Sequence, residues 1–186
     1  MRSSSHWLSS IAVVLFSACA AQAADNVFQA GAARVDATPQ HLPAIVNGSM
    51  LERLVEEVND PLHVRAVVMD DGETKIAMVL VDSCMMPRDL LDKAKAQAAA
   101  KTGIAAENIL ISATHCHSAP SVIAVLGTGV DARYEAFLPG QIAKAIEQAN
   151  ANRQPARIGF AMGRDEVNVA TRRWLMKEGV APTNRF

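Results

Sequence analysis

Residues 74–114 restrict the fold of this chain more than any other stretch. Two apolar runs, "TKIAMVLVD" at 74–82 and "NILISAT" at 108–114, are separated by a segment with helical signals. Pro87 can open that helix, because the first helical position needs no N–H. Leu90, Leu91, Ala94 and Ala98 then share one face over 87–101, and Gly103 suits the left-handed residue that ends a helix. Strand, helix and strand of these lengths close as a right-handed crossover, which makes the two strands parallel. The first run is apolar nearly throughout, which predicts burial on both faces. Upstream, "LHVRAVVM" leads into Asp70-Asp71-Gly72-Glu73, a hairpin turn with glycine where positive φ is required. The expected fold class is α/β: a mixed sheet with a βαβ parallel core and an antiparallel hairpin, with helices packed on the sheet.

The rest of the chain adds elements to this nucleus. "NVFQAGAARVDATP" reads as a strand that stops at Thr38-Pro39. Residues 40–60 read as irregular, with a short helix at 50–58. Tyr134, Phe137, Leu138, Ile142, Ile146 and Ala149 recur at helical spacing across 131–150, a core stripe, with Pro139-Gly140 expected to kink or restart the helix. "ARIGFAMGR" reads as a last strand, and the tail beyond it has no clear period.

The N-terminus has the layout of an export signal: Arg2, an apolar run from about Ile11, and small residues ending in Ala21-Gln22-Ala23. Cleavage after Ala23 would leave a chain of 24–186, secreted or periplasmic. The apolar run falls short of the roughly 20 residues of a membrane span, so no transmembrane anchor is expected after cleavage. Loss of 1–23 removes one basic residue and no acidic one, taking the formal charge from −1 to −2. That balance predicts no nucleic-acid partner and no polybasic membrane patch. Cys84 and Cys116 remain, and spacing alone does not say whether they pair.

Ligands of open α/β sheets gather outside the carboxyl ends of parallel strands. Two motifs fall there. One is "VDSC", with Asp82 where the first run ends; the other is "THCHS", where the second ends. Asp82 and His115 should therefore share one rim. If the strand continued to 117, His115 and His117 would point to one face, and two neutral imidazoles could reach one metal or one substrate. Taken alone, the His-Cys-His triplet has three readings: metal ligands, a thiol nucleophile at Cys116, or hydrogen-bonded packing. On a strand, Cys116 would point away from both imidazoles and act as a small buried hydrophobe. Ser118, next to His117, lacks the strained turn of a serine nucleophile; Ser83, Asp36 and the Arg172-Arg173 pair are the remaining candidates. Asp36 before Thr38-Pro39 reads as a turn-capping carboxylate. Of the Arg172-Arg173 pair, one guanidinium can face a cleft, because Trp174-Leu175-Met176 beside it should be held down.

Several stretches, in order, resemble the neutral/alkaline (non-lysosomal) ceramidase family. They are "AGAARVDATP", "DPLHVRAVVMDDG", "VDSC", "ISATHCHSAP" and "VATRRWLMKEG". The family signature reads T-H-T-H-S-G-P where this chain has Cys116 for threonine and Ala119 for glycine. The resemblance implies a zinc amidohydrolase that cleaves the N-acyl bond of a ceramide-like lipid amide. By position it implies that His115 is the metal ligand and His117 the catalytic, reaction-side histidine. It implies that Arg172 contacts substrate, and Asp82 would be a supporting carboxylate. Zinc would lower the pKa of bound water toward ~7 and polarise the amide carbonyl.

Members of that family continue for hundreds of residues and draw further ligands from later segments. The resemblance therefore assigns residues 24–186 to the N-terminal part of a ceramidase-like catalytic domain, truncated and inactive by itself. The competing reading is a non-catalytic periplasmic binding or interaction domain that uses the same rim without metal.

Overall fold

The computed structural model describes residues 27–167. They fall in two compact units that divide after Ala156. The first unit holds the fold. Strand β1 is Gln29–Asp36, β2 Ala44–Val46, β3 Arg53–Val55, β4 His63–Asp70 and β5 Lys75–Val81; helix α1 is Arg88–Thr102, followed by β6 Ile109–Ala113, helix α2 Ala132–Ala151 and the two-residue β7 Gln154–Pro155.

One five-stranded sheet has the order β6-β5-β4-β1-β7. β5 and β6 are parallel, from Ala77 opposite Ile109 to Val81 opposite Ala113, and the other pairings are antiparallel. The mixed α/β sheet with a parallel βαβ core is therefore present as the sequence predicts. The hairpin turn is built as expected. Gly72 has φ 90°, and the Asp71 carboxylate accepts from the N–H groups of Glu73 and Thr74. α1 begins after Pro87 and ends on Gly103 at φ 71°, whose N–H donates to the Ala99 carbonyl.

Four expectations need correction. The run 74–82 is not buried on both faces. Val79, Val81 and Ala77 are buried, while Ile76, Met78 and Leu80 alternate with them and are exposed. The reason is architectural: α1 and α2 pack against each other and against the same face of the sheet, in one core with Val35, Val64, Ala66 and Val68. No helix forms at 50–58; β2 and β3 pair there as a small antiparallel hairpin. α2 does not restart at Pro139-Gly140 but continues from Ala132 to Ala151. Its buried side, Tyr134, Leu138, Ile142, Ile146 and Ala149, holds the helix on the sheet, so the single N–H that proline lacks does not end it. Finally, 156–164 forms no strand among the described residues. A strand exists only where a neighbour pairs its backbone groups, and β7 stops at Pro155.

Asp131 ties α2 to the region of interest. One carboxylate oxygen caps the helix by accepting from Tyr134 N–H (3.1 Å), and the other accepts from Ile45 N–H of β2 (3.2 Å). The Tyr134 hydroxyl donates to the Ala37 carbonyl at 2.8 Å, and burial pushes its pKa well above the usual phenol value. No helix among the described residues is long and apolar enough to cross a membrane.

Candidate metal centre at the sheet rim

The carboxyl ends of β5 and β6 are stitched together beyond the last strand residues. Thr114 N–H donates to the Val81 carbonyl (2.9 Å) and Cys116 N–H to the Ser83 carbonyl (3.2 Å). The loop after β6 is thereby laid along the loop after β5. Asp82 and His115 do share one rim, as the parallel crossover requires.

His115 sits past the end of β6 with φ 62°, the left-handed region that a histidine enters infrequently. That conformation turns its ring toward the 82–84 loop. Its Nδ1 lies 2.8 Å from the Cys84 carbonyl and 3.9 Å from Cys84 Sγ. A carbonyl oxygen only accepts, so Nδ1 carries the proton and Nε2 keeps a free lone pair. The His115 and His117 rings meet edge to face, centroids 4.8 Å apart at 77°. Candidate ligand atoms of Cys84, His115 and His117 all lie within 4.8 Å of one another, with Cys84 buried and both histidines exposed. The two imidazoles do come together, but by a turn and not by strand alternation, since β6 ends at Ala113.

His117 is held from the β2–β3 side. Arg53 donates to its carbonyl oxygen at 3.1 Å. Gly48, at φ 100°, lies so close beneath it that a Cβ there would clash with the His117 ring carbon Cγ. Asn47 fixes that glycine. Its buried side chain accepts from Gly48 N–H (2.6 Å) and donates to Ser121 Oγ and the Ile123 carbonyl. Val46 in turn pairs with Pro120. Sequence reasoning passed over Gly48, although Asn47-Gly48 is a turn dipeptide that could have marked it. It weighed Cys84, two residues after Asp82 at the same strand end, only as a disulfide partner of Cys116.

The other candidates are placed as follows. The Asp82 carboxylate is outside the cluster. It accepts from Arg65 Nη1 (2.8 Å) and from His63 N–H (2.9 Å). Partial burial acts to raise its pKa, but those two hydrogen bonds and the nearby charges of Arg65 and His63 outweigh it, so the carboxyl stays below its ordinary value. Cys116 is half-buried, and both cysteines are free thiols. Burial, then the neighbouring Cys116, raises the Cys84 thiol pKa. Ser83 is buried and donates to the Met85 carbonyl. Ser118 lines a cleft of about 240 Å³ with Glu57, Asp60 and Leu62. Asp36 accepts from Thr38 N–H at 2.7 Å, the turn cap that its position predicts. Arg172 and the leader 1–23 lie outside the described residues.

Fold and rim together define an α/β domain with a Cys-His-His cluster at the carboxyl ends of its parallel strands. Over the matched part, that architecture is the fold of neutral ceramidases. The solved neutral ceramidase from Pseudomonas aeruginosa is similar with a TM-score of 0.63 and 23% identity, over 70% of this chain and 22% of its own. A ceramidase complexed with C2 gives 0.61 and 24%, over 70% and 22%. The chain thus spans less than a quarter of the length of either neighbour. No protein-family model and no curated protein matches it.

Proposed function

We propose that this chain is the N-terminal part of the catalytic domain of an exported, zinc-dependent amide hydrolase of the neutral ceramidase kind. Its substrate would be a lipid N-acyl amide, ceramide-like in chemistry. The observation that carries the proposal is the pairing of His115 and His117 on a parallel-strand rim, within a fold shared with neutral ceramidases.

The donor chemistry fits zinc. Neutral imidazole is a common zinc ligand, and a carbonyl holding the other ring N–H is the usual support for it. His115 would bind through Nε2, its ring fixed by the Cys84 carbonyl. A bound zinc ion supplies Lewis acidity toward the amide carbonyl and toward water. His117 would stand on the reaction side, where an imidazole can hold or pass a proton; Gly48 and Arg53 fix where it stands. Arg172 would contact the substrate. Neutral ceramidases are several times longer than this chain, and the remaining ligands would come from such further segments.

The test is to read the gene past the codon for Phe186 and assay the longest product. A fluorescent N-acyl-sphingosine should be hydrolysed, with activity lost on zinc chelation and in His115→Ala. Chelator-insensitive hydrolysis would sink the zinc reading. N-terminal sequencing of exported protein should begin at Ala24, and an intact leader would refute cleavage after Ala23.

A further inference from the structure

We propose that Cys84 and Cys116 close a disulfide that ties together the two loops of the strand rim. The bond goes beyond the zinc reading and does not depend on it. It takes from the proposed function only that the chain is exported, because exported proteins meet an oxidising environment while cytosolic thiols stay reduced. Cys116 stands where the ceramidase signature has threonine, so the bond is no part of that signature.

The register of the parallel strands carries the proposal. Every partner in β6 stands 32 positions after its mate in β5, from Ala77 and Ile109 to Val81 and Ala113. Cys116 stands 32 positions after Cys84. The same register runs on past the strand ends. Thr114 N–H donates to the Val81 carbonyl and Cys116 N–H to the Ser83 carbonyl, the spacing of a continuing parallel ladder. Those bonds set Thr114 beside Asp82 and Cys116 beside Cys84. Neighbouring strands lie about 4.8 Å apart, and disulfides join Cα atoms about 4.4–6.8 Å apart. The backbone spacing therefore suits the bond, and the remaining adjustment falls to the two side chains. Both thiols are free to make it. Burial raises the Cys84 thiol pKa and Cys116 adds to the rise, so the two groups sense each other.

The oxidant is a small or protein disulfide, for which glutathione disulfide can stand in. Cys116 is half-buried and Cys84 buried, so Cys116 is reached first. Its thiolate attacks one glutathione sulfur and releases the other half as a thiol. The Cys84 thiolate then attacks the Cys116 sulfur, forms the Sγ–Sγ bond and releases the second glutathione thiol. The two cysteines give up two electrons and two protons, which the two glutathione thiols carry away. The closed loop contains α1 and β6, and a cross-link of that span restricts the unfolded chain. At the rim it holds the Cys84 carbonyl on His115 Nδ1 and occupies the Cys84 sulfur, which leaves His115 Nε2 as the donor.

Glutathione disulfide tests this directly. In the full 186-residue chain Cys19→Ser leaves only these two thiols. The folded, reduced protein should lose two hydrogens in intact mass, and peptide mapping should link the segments that carry Cys84 and Cys116. Closure should raise the melting temperature by roughly 5–15 °C over the reduced form. Cys84→Ala and Cys116→Ser should each abolish both changes, with near-ultraviolet circular dichroism reporting that each variant is folded. A bond that forms only in denaturant, a glutathione adduct that stays on Cys116, or a melting temperature that falls on closure would overturn the proposal. The test needs no metal, substrate or export. Its failure would leave the zinc reading standing, and chelator-insensitive hydrolysis would sink that reading without touching the bond.

Discussion

Strand β5 has two faces of nearly equal apolarity and opposite fates. Ala77, Val79 and Val81 are buried under α1 and α2; Ile76, Met78 and Leu80 are 38–48% exposed. The exposed set continues across the sheet, because Met78 is level with Val67 of β4 and Leu110 of β6. Side-chain chemistry therefore does not decide which face is covered. What decides is where the helices dock, and both dock on one side.

Substitutions can break or sharpen that contrast. The largest effect belongs to the covered side. Leu138→Ala or Ile142→Ala, each fully buried, should lose about 2–5 kcal/mol in chemical denaturation. Next comes the rim, where Gly48→Ala combines positive φ with a clash against His117. About 1–3 kcal/mol should be lost, and the His117 ring resonances should shift in NMR; an unshifted ring would show that Gly48 does not position it.

A smaller, pH-dependent effect belongs to Asp82, which bridges to Arg65 at the end of the open face. Its folded-state pKa is depressed, so its contribution is present above the unfolded value of about 3.9 and lost as pH falls through the folded one. Asp82→Asn should flatten the loss of stability below about pH 4. The same slope in both proteins would remove Asp82 from the account. Smallest of all, Met78→Thr on the open face should stay within about 0.5 kcal/mol. A loss there as large as at Leu138 would mean that the open face is packed against something.

The legibility of the sequence follows the same division. Signals that act locally were readable: Gly72 in its turn, Gly103 at a helix end, the Tyr134–Ala149 stripe, and the crossover that puts β5 and β6 side by side. Features set by distant partners were not. β2 is three residues long and depends on Asp131 and Pro120, far along the chain, so its segment reads as loop. The strand expected at 156–164 had the right composition but pairs with no strand among the described residues. At the site, His115 and His117 were legible as a pair. The turn that unites them needed a backbone angle that no residue pattern announces, and Cys84 joins them only through the register of two separate loops.

That angle has a consequence for how this protein can change. His115 occupies a left-handed conformation that costs an ordinary residue roughly 1–2 kcal/mol and glycine almost nothing. Asparagine, too, would sit there with less strain. Selection for a sturdier fold alone would therefore tend to erase this histidine, while selection for a bound ion would keep it. In a library sorted only for thermal resistance, position 115 should drift to glycine or asparagine. In one sorted for metal retention, it should stay histidine.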